Sequence, residues 1–297
     1  MMQRQRGIAL IQVLLVTGII SLLMLQMGLT AREQVARAQA LADRAELQLA
    51  AQSRESALLY SLLTEPLARD AESGNPYAVA WNFQGEPFAV DGVTFTIQDE
   101  SGRMRVPDRQ AGEFERLLLG LDVPPERAQQ LGRELMELQG AATRTRALGE
   151  AQASAAAADG AQYPLQDLSQ LRLLPSMDAG LFRRLRPLLT LYPTPGFNPT
   201  TAPGELLAAQ LTDSQRRAVA DARAGGAVDA LTLWKLTGSQ ADETTVLAPG
   251  PGLTVTLEMG LRGARTARAT TFIVRPYEAE AVAVWQRSRN DSDQERR

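Results

Sequence analysis

An uncharged apolar run at residues 8–29, IALIQVLLVTGIISLLMLQMGL, stands directly behind Arg4-Gln5-Arg6-Gly7 and constrains everything after it. Its only polar side chains besides the backbone are Gln12, Thr17, Ser21 and Gln26. At about 1.5 Å of rise per residue, a helix of this length crosses a bilayer. A cleaved secretory signal has a shorter core of roughly 7–15 apolar residues and then a small-x-small site. Here the core is longer, and Leu29-Thr30-Ala31 is a poor site. The arginines on the short side predict that this end stays in the cytoplasm and that the rest is exported.

Composition fits a chain anchored once. With 22% charged residues and a net charge of −3 the remainder is too polar for a second span, and its length allows one or two domains with ordinary cores. The chain has no cysteine and no histidine. That excludes disulfides, thiol chemistry, Cys- or His-ligated zinc and a His-dependent triad. No serine or carboxylate sits beside a plausible base, and no Gly-rich phosphate loop follows a strand, so no catalytic residue is assigned.

Residues 30–63 are rich in Ala, Leu, Glu, Gln and Arg, with no proline before Pro66, so one helix is expected from Ile8 to about Leu63, roughly 84 Å long. Val35, Ala38, Ala42, Ala45, Leu49 and Ser53 recur at spacings of three and four. This small-residue stripe suits packing against a globular domain, and it suits a coiled-coil stalk equally well.

Beyond it, VTFTIQ at 93–98 alternates and ends in Asp99-Glu100-Ser101-Gly102, a strand and turn. Residues 253–261 and 267–274 alternate likewise and read as an antiparallel hairpin joined by Arg-Gly-Ala-Arg. Helical spacing is found at 113–121, 125–138, 177–189, 205–211, 214–223 and 228–236, while 138–160 is Ala-rich and reads as a loose linker. The expected fold class is α+β, with an all-helical domain inserted between the strands of a small antiparallel sheet.

Several local patterns have competing readings. Asp99, Glu100 and Ser101 offer oxygen ligands to a cation, or simply build a turn. Residues 200–236 look like a helix-hairpin-helix DNA-binding module, yet Gly225-Gly226 serves as a helix C-cap and Asp213 and Asp229 as N-caps. Arg216, Arg217 and Arg223 are offset by Asp213, Asp221 and Asp229, so no nucleic-acid partner is expected. Arg183, Arg184 and Arg186 read as the wet face of an amphipathic helix. Trp81, Trp234 and Trp285 are too scattered for a sugar platform, and the charged tail from Gln286 reads as disordered.

The junction Gly7-Ile8 carries a resemblance. Basic residues, a glycine and then an uninterrupted apolar helix form the arrangement that prepilin peptidase cuts, and this N-terminus resembles that of type IV pilins and type II secretion pseudopilins. In those families the fifth mature residue is usually glutamate. Counted from Ile8, it is Gln12 here, as in the one class that generally lacks the acid. A carboxylate in hydrocarbon is costly unless paired, and a subunit with no neighbour above it has no amine to neutralise. Gln12 suits such a first subunit, although a tolerated polar residue in a span reads the same.

Further blocks are similar to that class, the K-type minor pseudopilins, in the same order along the chain. Residues 89–104 resemble its first sheet strand and Asp-Glu-Ser-Gly turn. Residues 163–174 match a second block. Phe197-Asn198-Pro199-Thr200-Thr201-Ala202-Pro203 resembles its Asn-x-Asn-Thr-Ala-Pro segment. There are departures: the family's Asp-Trp-x-Asp stretch ahead of Tyr163 is missing, Gln170 stands for glutamate, and Thr200 replaces the second asparagine. Arg105 and Pro107 interrupt the polar run that usually follows the turn. No cofactor is expected, and calcium is doubtful for want of those acids.

The resemblance implies a leader at 1–7, a membrane part at 8–29, and a pilin-like domain of helix and first strands at 30–107. An inserted helical domain at 108–240, returning strands at 241–285 and a tail at 286–297 complete the division. It further implies a pilin-like helix packed on the sheet, cleavage and methylation by prepilin peptidase, and a periplasmic globular part on a Gram-negative inner membrane. The implied role is non-enzymatic: nucleating or capping the pseudopilus tip for export of folded proteins. The implied partners are the I-type and J-type minor pseudopilins, other pseudopilins, the inner-membrane assembly platform, secreted substrates and the outer-membrane secretin. A type IV minor pilin for adhesion or DNA uptake, and a single-span periplasmic binding protein, are the alternatives.

Overall fold

The apolar run and the Ala-rich segment behind it form one unbroken helix, α1 (Gln5–Thr64), in the computed structural model of the protein. Pro66 lies two positions past its end, where a missing N–H and the restriction on the preceding residue stop a helix. The structure describes residues 5–107, 110–150, 165–194, 196–224 and 248–289, with 232, 235 and 246. Within them the chain divides into two compact units: Met1–Arg54 with Met259–Thr266, and Glu55–Glu258 with Ala267–Arg297.

The first unit holds most of α1 and a hairpin tip. Arg262 at that tip donates to Glu46 at 2.8 Å and to Asp43 at 3.3 Å. The buried side chains of this part of α1 are Leu47 and Ala51, and in the second unit the helix buries Leu58 and Leu62. Of the two readings of the small-residue stripe, the structure does not bear out packing against a globular domain. Val35 and Leu49, two members of that stripe, are 58% and 68% exposed. At 100° per residue the stripe lies on the opposite side from Leu47 and Leu58. The side that packs presents leucines, each of which buries about 1.5–3 kcal/mol of apolar side chain, so larger area prevails over small-residue spacing.

Sixteen elements, counting two short 3-10 turns, run in chain order through the described residues. After α1 come α2 (Pro76–Ala80), β1 (Gln84–Val90), β2 (Val93–Asp99) and a 3-10 turn at Glu100–Gly102. Then follow β3 (Met104–Arg105), α3 (Gly112–Gly120), α4 (Pro125–Glu150), a second 3-10 turn (Leu168–Leu173), α5 (Ala179–Leu185) and β4 (Leu189–Thr190). The chain closes with α6 (Gly204–Gln210), α7 (Asp213–Ala224), β5 (Gly252–Leu261), β6 (Ala264–Val274) and β7 (Val282–Arg289). The class is α+β, as expected.

The main sheet has the order β1-β2-β5-β6-β7. Two of its strands were not expected from sequence. Gly85 and Pro87 obscure β1, whose pairing with β2 is irregular at those residues. The turn between them, Asp91-Gly92, has φ of 50° and 76°, the left-handed pair that a two-residue hairpin requires. Strand β7 pairs with β6 as far as Arg289, so residues 286–289 belong to the sheet and not to a disordered tail. The β5–β6 connection is the two residues Arg262-Gly263, at φ 48° and 87°, shorter than the four expected.

Helices α3, α6 and α7 lie where expected, within two residues. Three readings are corrected. Helix α4 continues to Glu150, past the 138 boundary, because Ala-rich sequence with no glycine or proline between Ala141 and Leu148 favours helix over linker. The segment 177–189 is not one helix: α5 stops at Leu185, ahead of Pro187, and Leu189–Thr190 forms a strand parallel to β3. The region between β3 and β5 is therefore not purely helical. The helix read at 228–236, with the Gly225-Gly226 and Asp229 caps, lies outside the described residues apart from Thr232 and Lys235. A core of Phe114, Leu117, Leu118, Leu131, Leu135 and Leu185 joins α3, α4 and α5.

Candidate functional site

The residues singled out at 99–102 and 198–203 meet in the interior of the second unit. Strand β2 ends at Asp99, whose side chain caps the following 3-10 turn by accepting from the Ser101 N–H at 2.9 Å. The same oxygen accepts from the Gly250 N–H at 3.1 Å, across 151 positions of sequence. Its other oxygen accepts from Asn198 Nδ2 at 3.1 Å and from the Thr201 hydroxyl at 2.7 Å. Asp99 and Asn198 are both fully buried. Each carboxylate oxygen thus has two donors, which is how a charge is kept away from water.

The neighbouring groups complete the joint. The Asn198 N–H donates to the Ser101 carbonyl at 2.7 Å, and its amide donates to the Ala248 carbonyl at 2.9 Å. Gln98 bridges back, donating to the carbonyls of Asp99 at 2.7 Å and Thr201 at 3.1 Å. Glu100 accepts from Arg103 at 2.9 Å, from Thr254 at 2.5 Å and from the Thr190 hydroxyl. At Gly102 a Cβ would stand 2.4 Å from the Thr201 carbonyl oxygen, so close approach of the two segments demands glycine. Thr200, which replaces an asparagine of the related pattern, keeps a polar contact by donating to Asn198 Oδ1 at 2.6 Å.

Ala202 is fully buried beside this joint, and Pro203 directly precedes α6. Gly7 and Ile8 fall in the first turns of α1, far along the chain from it, and Gln12 is exposed on α1. Sequence reasoning missed Gln98, Thr190, Thr254 and Gly250. Gly250-Pro251-Gly252, a turn signal, is the local pattern that could have pointed to that part of the site.

Asp99, Glu100 and Ser101 build the turn that was read there. The oxygens of Asp99 and Glu100 face N–H, O–H and guanidinium groups. Among the described residues no cluster of three or more acidic side chains is placed to hold a metal ion. The joint therefore does mechanical work: it fixes the end of β2 to two distant segments. Gln170 does the same locally, accepting from the Gln166 N–H at 2.8 Å and forming a capping box with Asp167 in the place of glutamate.

The carboxylates differ in their electrostatics. Burial pushes the Asp99 carboxyl above its ordinary value, partly offset by donation from Thr201, Ser101, Gly250 and Asn198. Burial also works against charge on Glu134. There, donation from the Ser176 N–H and hydroxyl and from Gln130, with the charge of Arg133, prevails and holds the carboxyl below the usual range. Asp167 is lowered by Ser169, and Asp178 by the Leu181 N–H and Arg127. A group lowered by folding contributes stability that is present above its unfolded pKa and lost as pH falls through the folded one; Asp99, being raised, contributes below its unfolded value and loses that as pH rises. With three lowered carboxylates against one raised, melting temperature should drop as pH falls below about 4. Glu134→Gln should make that drop shallower, measured by circular dichroism from pH 7 to pH 3. A melting temperature that climbs on acidification would contradict this assignment.

Comparison with known proteins gives three findings. Residues 95–194 match the family model of "Type II secretion system (T2SS), protein K". The Klebsiella pneumoniae type II secretion system protein K is 32% identical over 207 residues, covering 63% of this chain and 63% of that protein. The chain thus matches less than two thirds of that relative's length. The crystal structure of the GspK-GspI-GspJ complex from the enterotoxigenic Escherichia coli type 2 secretion system aligns with a TM-score of 0.47 at 19% identity, over 88% of this chain and 99% of that one. The matched span begins inside β2 and includes Asp99-Glu100-Ser101-Gly102 and the Tyr163 block, but stops short of Asn198.

Proposed function

We propose that this chain is a minor pseudopilin of the type II secretion protein K family, that it stands at the tip of the pseudopilus, and that it nucleates or caps that filament. One observation carries the proposal: α1 begins with a membrane-length apolar stretch of mean hydropathy 2.1, none of it buried in the protein. A helix of that kind needs lipid or other helices around it, which a filament base and a membrane supply in turn. The N-terminus lies in the cytoplasm by the excess of arginine ahead of the run, and the globular part in the periplasm. The I-type and J-type minor pseudopilins are its neighbours, with the assembly platform below and substrates or the secretin above. Gln12 favours the tip, since a subunit there needs no carboxylate to meet an amine overhead. The role is structural and uses no catalytic group.

Immunogold labelling in a strain that overproduces the major subunit tests the position. The label should lie at filament ends, and added copies of the protein should shorten the filaments. Label spaced regularly along the shaft would refute the tip position while leaving family membership intact.

The reading includes no calcium requirement. Ligand binding to the native state alone stabilises by about 2.7 kcal/mol at a hundredfold excess over Kd. The detergent-solubilised protein should melt at the same temperature in calcium and in chelator. A clear rise with calcium would place a site among residues that carry none of the expected acids.

A further inference from the structure

A cavity of about 480 Å³ in the second unit is lined by Arg103, Arg172, Arg183 and Arg186, of which the joint at Asp99 uses only the first. Arg103, at its floor, is neutralised by Glu100. Arg172, Arg183 and Arg186 also line it, all exposed, and none makes an ion pair among the described residues. Arg172 lies over the ring of Phe182, 4.5 Å from its centroid, a cation–π contact that holds it at the wall. Asp167 is the second carboxylate of the lining; it accepts from Gln286 at 3.1 Å and from the Ser169 N–H at 2.7 Å, and the charge of Arg186 acts on it without a direct ion pair. The cavity is therefore positive in a protein whose net charge is −3. A concave wall of low dielectric concentrates that field, and guanidinium forks fit carboxylates two bonds at a time.

The far wall differs in kind. Trp285 of β7 is 47% exposed and meets Tyr192 edge-on at 5.4 Å. Between Thr271 and Phe272 the β6–β7 register shifts, pairing Gln286 and Val284 and leaving Trp285 as the extra residue of a bulge, a device that re-aims a side chain. Strand β7 is an edge of the sheet, so its outer N–H and C=O groups have no ladder partner among the described residues. Cations, an exposed aromatic and an open strand edge together suit an extended peptide better than a free anion. Such a peptide gains backbone pairing as well as charge.

We infer that the cavity between Arg172, Arg183, Arg186 and Trp285 is a docking site for an extended acidic peptide segment of a partner protein, its Asp or Glu side chains meeting the arginines. The test is fluorescence anisotropy with fluorescein-labelled hexaglutamate and the full chain in neutral detergent. Saturable binding is expected that weakens with salt. The double variant Arg183→Gln/Arg186→Gln should lower affinity at least tenfold, with an unchanged melting temperature. Arg116→Gln, which removes an exposed arginine of α3 that pairs with Glu113, should change it less than twofold. Equal losses in both variants would mean general charge attraction and overturn the site, as would no saturable binding. Inorganic phosphate and phosphatidylglycerol vesicles are run in parallel. Arginine-dependent binding of either without binding of hexaglutamate would overturn the peptide assignment in favour of an anion or a lipid surface.

Discussion

Asp99→Ala is expected to lower the unfolding free energy by about 3–5 kcal/mol, because it strands four donors in a place water does not reach. The donors are two backbone N–H groups, the Asn198 amide and the Thr201 hydroxyl. Only the hydroxyl turns easily toward another acceptor. Asp99→Asn should cost less, since it keeps one oxygen for two of them and sets its own NH₂ against the other two. The exposed Glu205→Ala should stay within about 0.5 kcal/mol. Denaturant unfolding of the full chain in detergent micelles measures all three. An Asp99→Ala cost below about 1 kcal/mol would mean that the joint is not what fixes β2 to the distant segments.

The second large effect is expected at the membrane. The proposal requires prepilin peptidase to read the glycine ahead of the apolar helix, so Gly7→Val should leave only full-length precursor in the host membrane. Mass analysis of the wild-type mature protein should find Ile8 at the N-terminus. A Met1 terminus, or cleavage near Ala31, would sink the pseudopilin processing and, with it, the tip role. The uncut variant should still insert, because insertion depends on the apolar run and not on Gly7.

The two predictions draw on different levels of the molecule. The apolar helix, long enough to cross a bilayer, was legible from sequence because length, apolarity and flanking charge are local properties contained in about thirty consecutive residues. The helices at 113–121, 205–211 and 214–223 were legible for the same reason, and so were the strands with clean alternation. Strand β1 was not, since Gly85 and Pro87 hide the alternation and only the neighbouring strand makes the segment pair. Nor was β7, whose charged residues look disordered until β6 supplies partners for their backbone.

Tertiary structure alone decided which side of α1 packs. Periodicity pointed to a small-residue stripe at Val35 to Ser53, whereas Leu47 and Leu58 are the side chains that the structure buries; the choice lies with the surface each one meets. Likewise the motif residues were named from the chain, but not their use. Asp99-Glu100-Ser101 suits a cation as well as a turn until Asn198, Thr201 and Gly250 bring N–H and O–H donors to it. Those donors come from up to 151 positions away, a separation over which sequence spacing says nothing about distance. The sequence by itself determined the membrane-length apolar helix, several of the later helices and the strands of regular pattern. Side-chain partners at long range depend on how the whole chain closes, so the buried joint, the packed face of α1 and the arginine cavity emerged only in three dimensions.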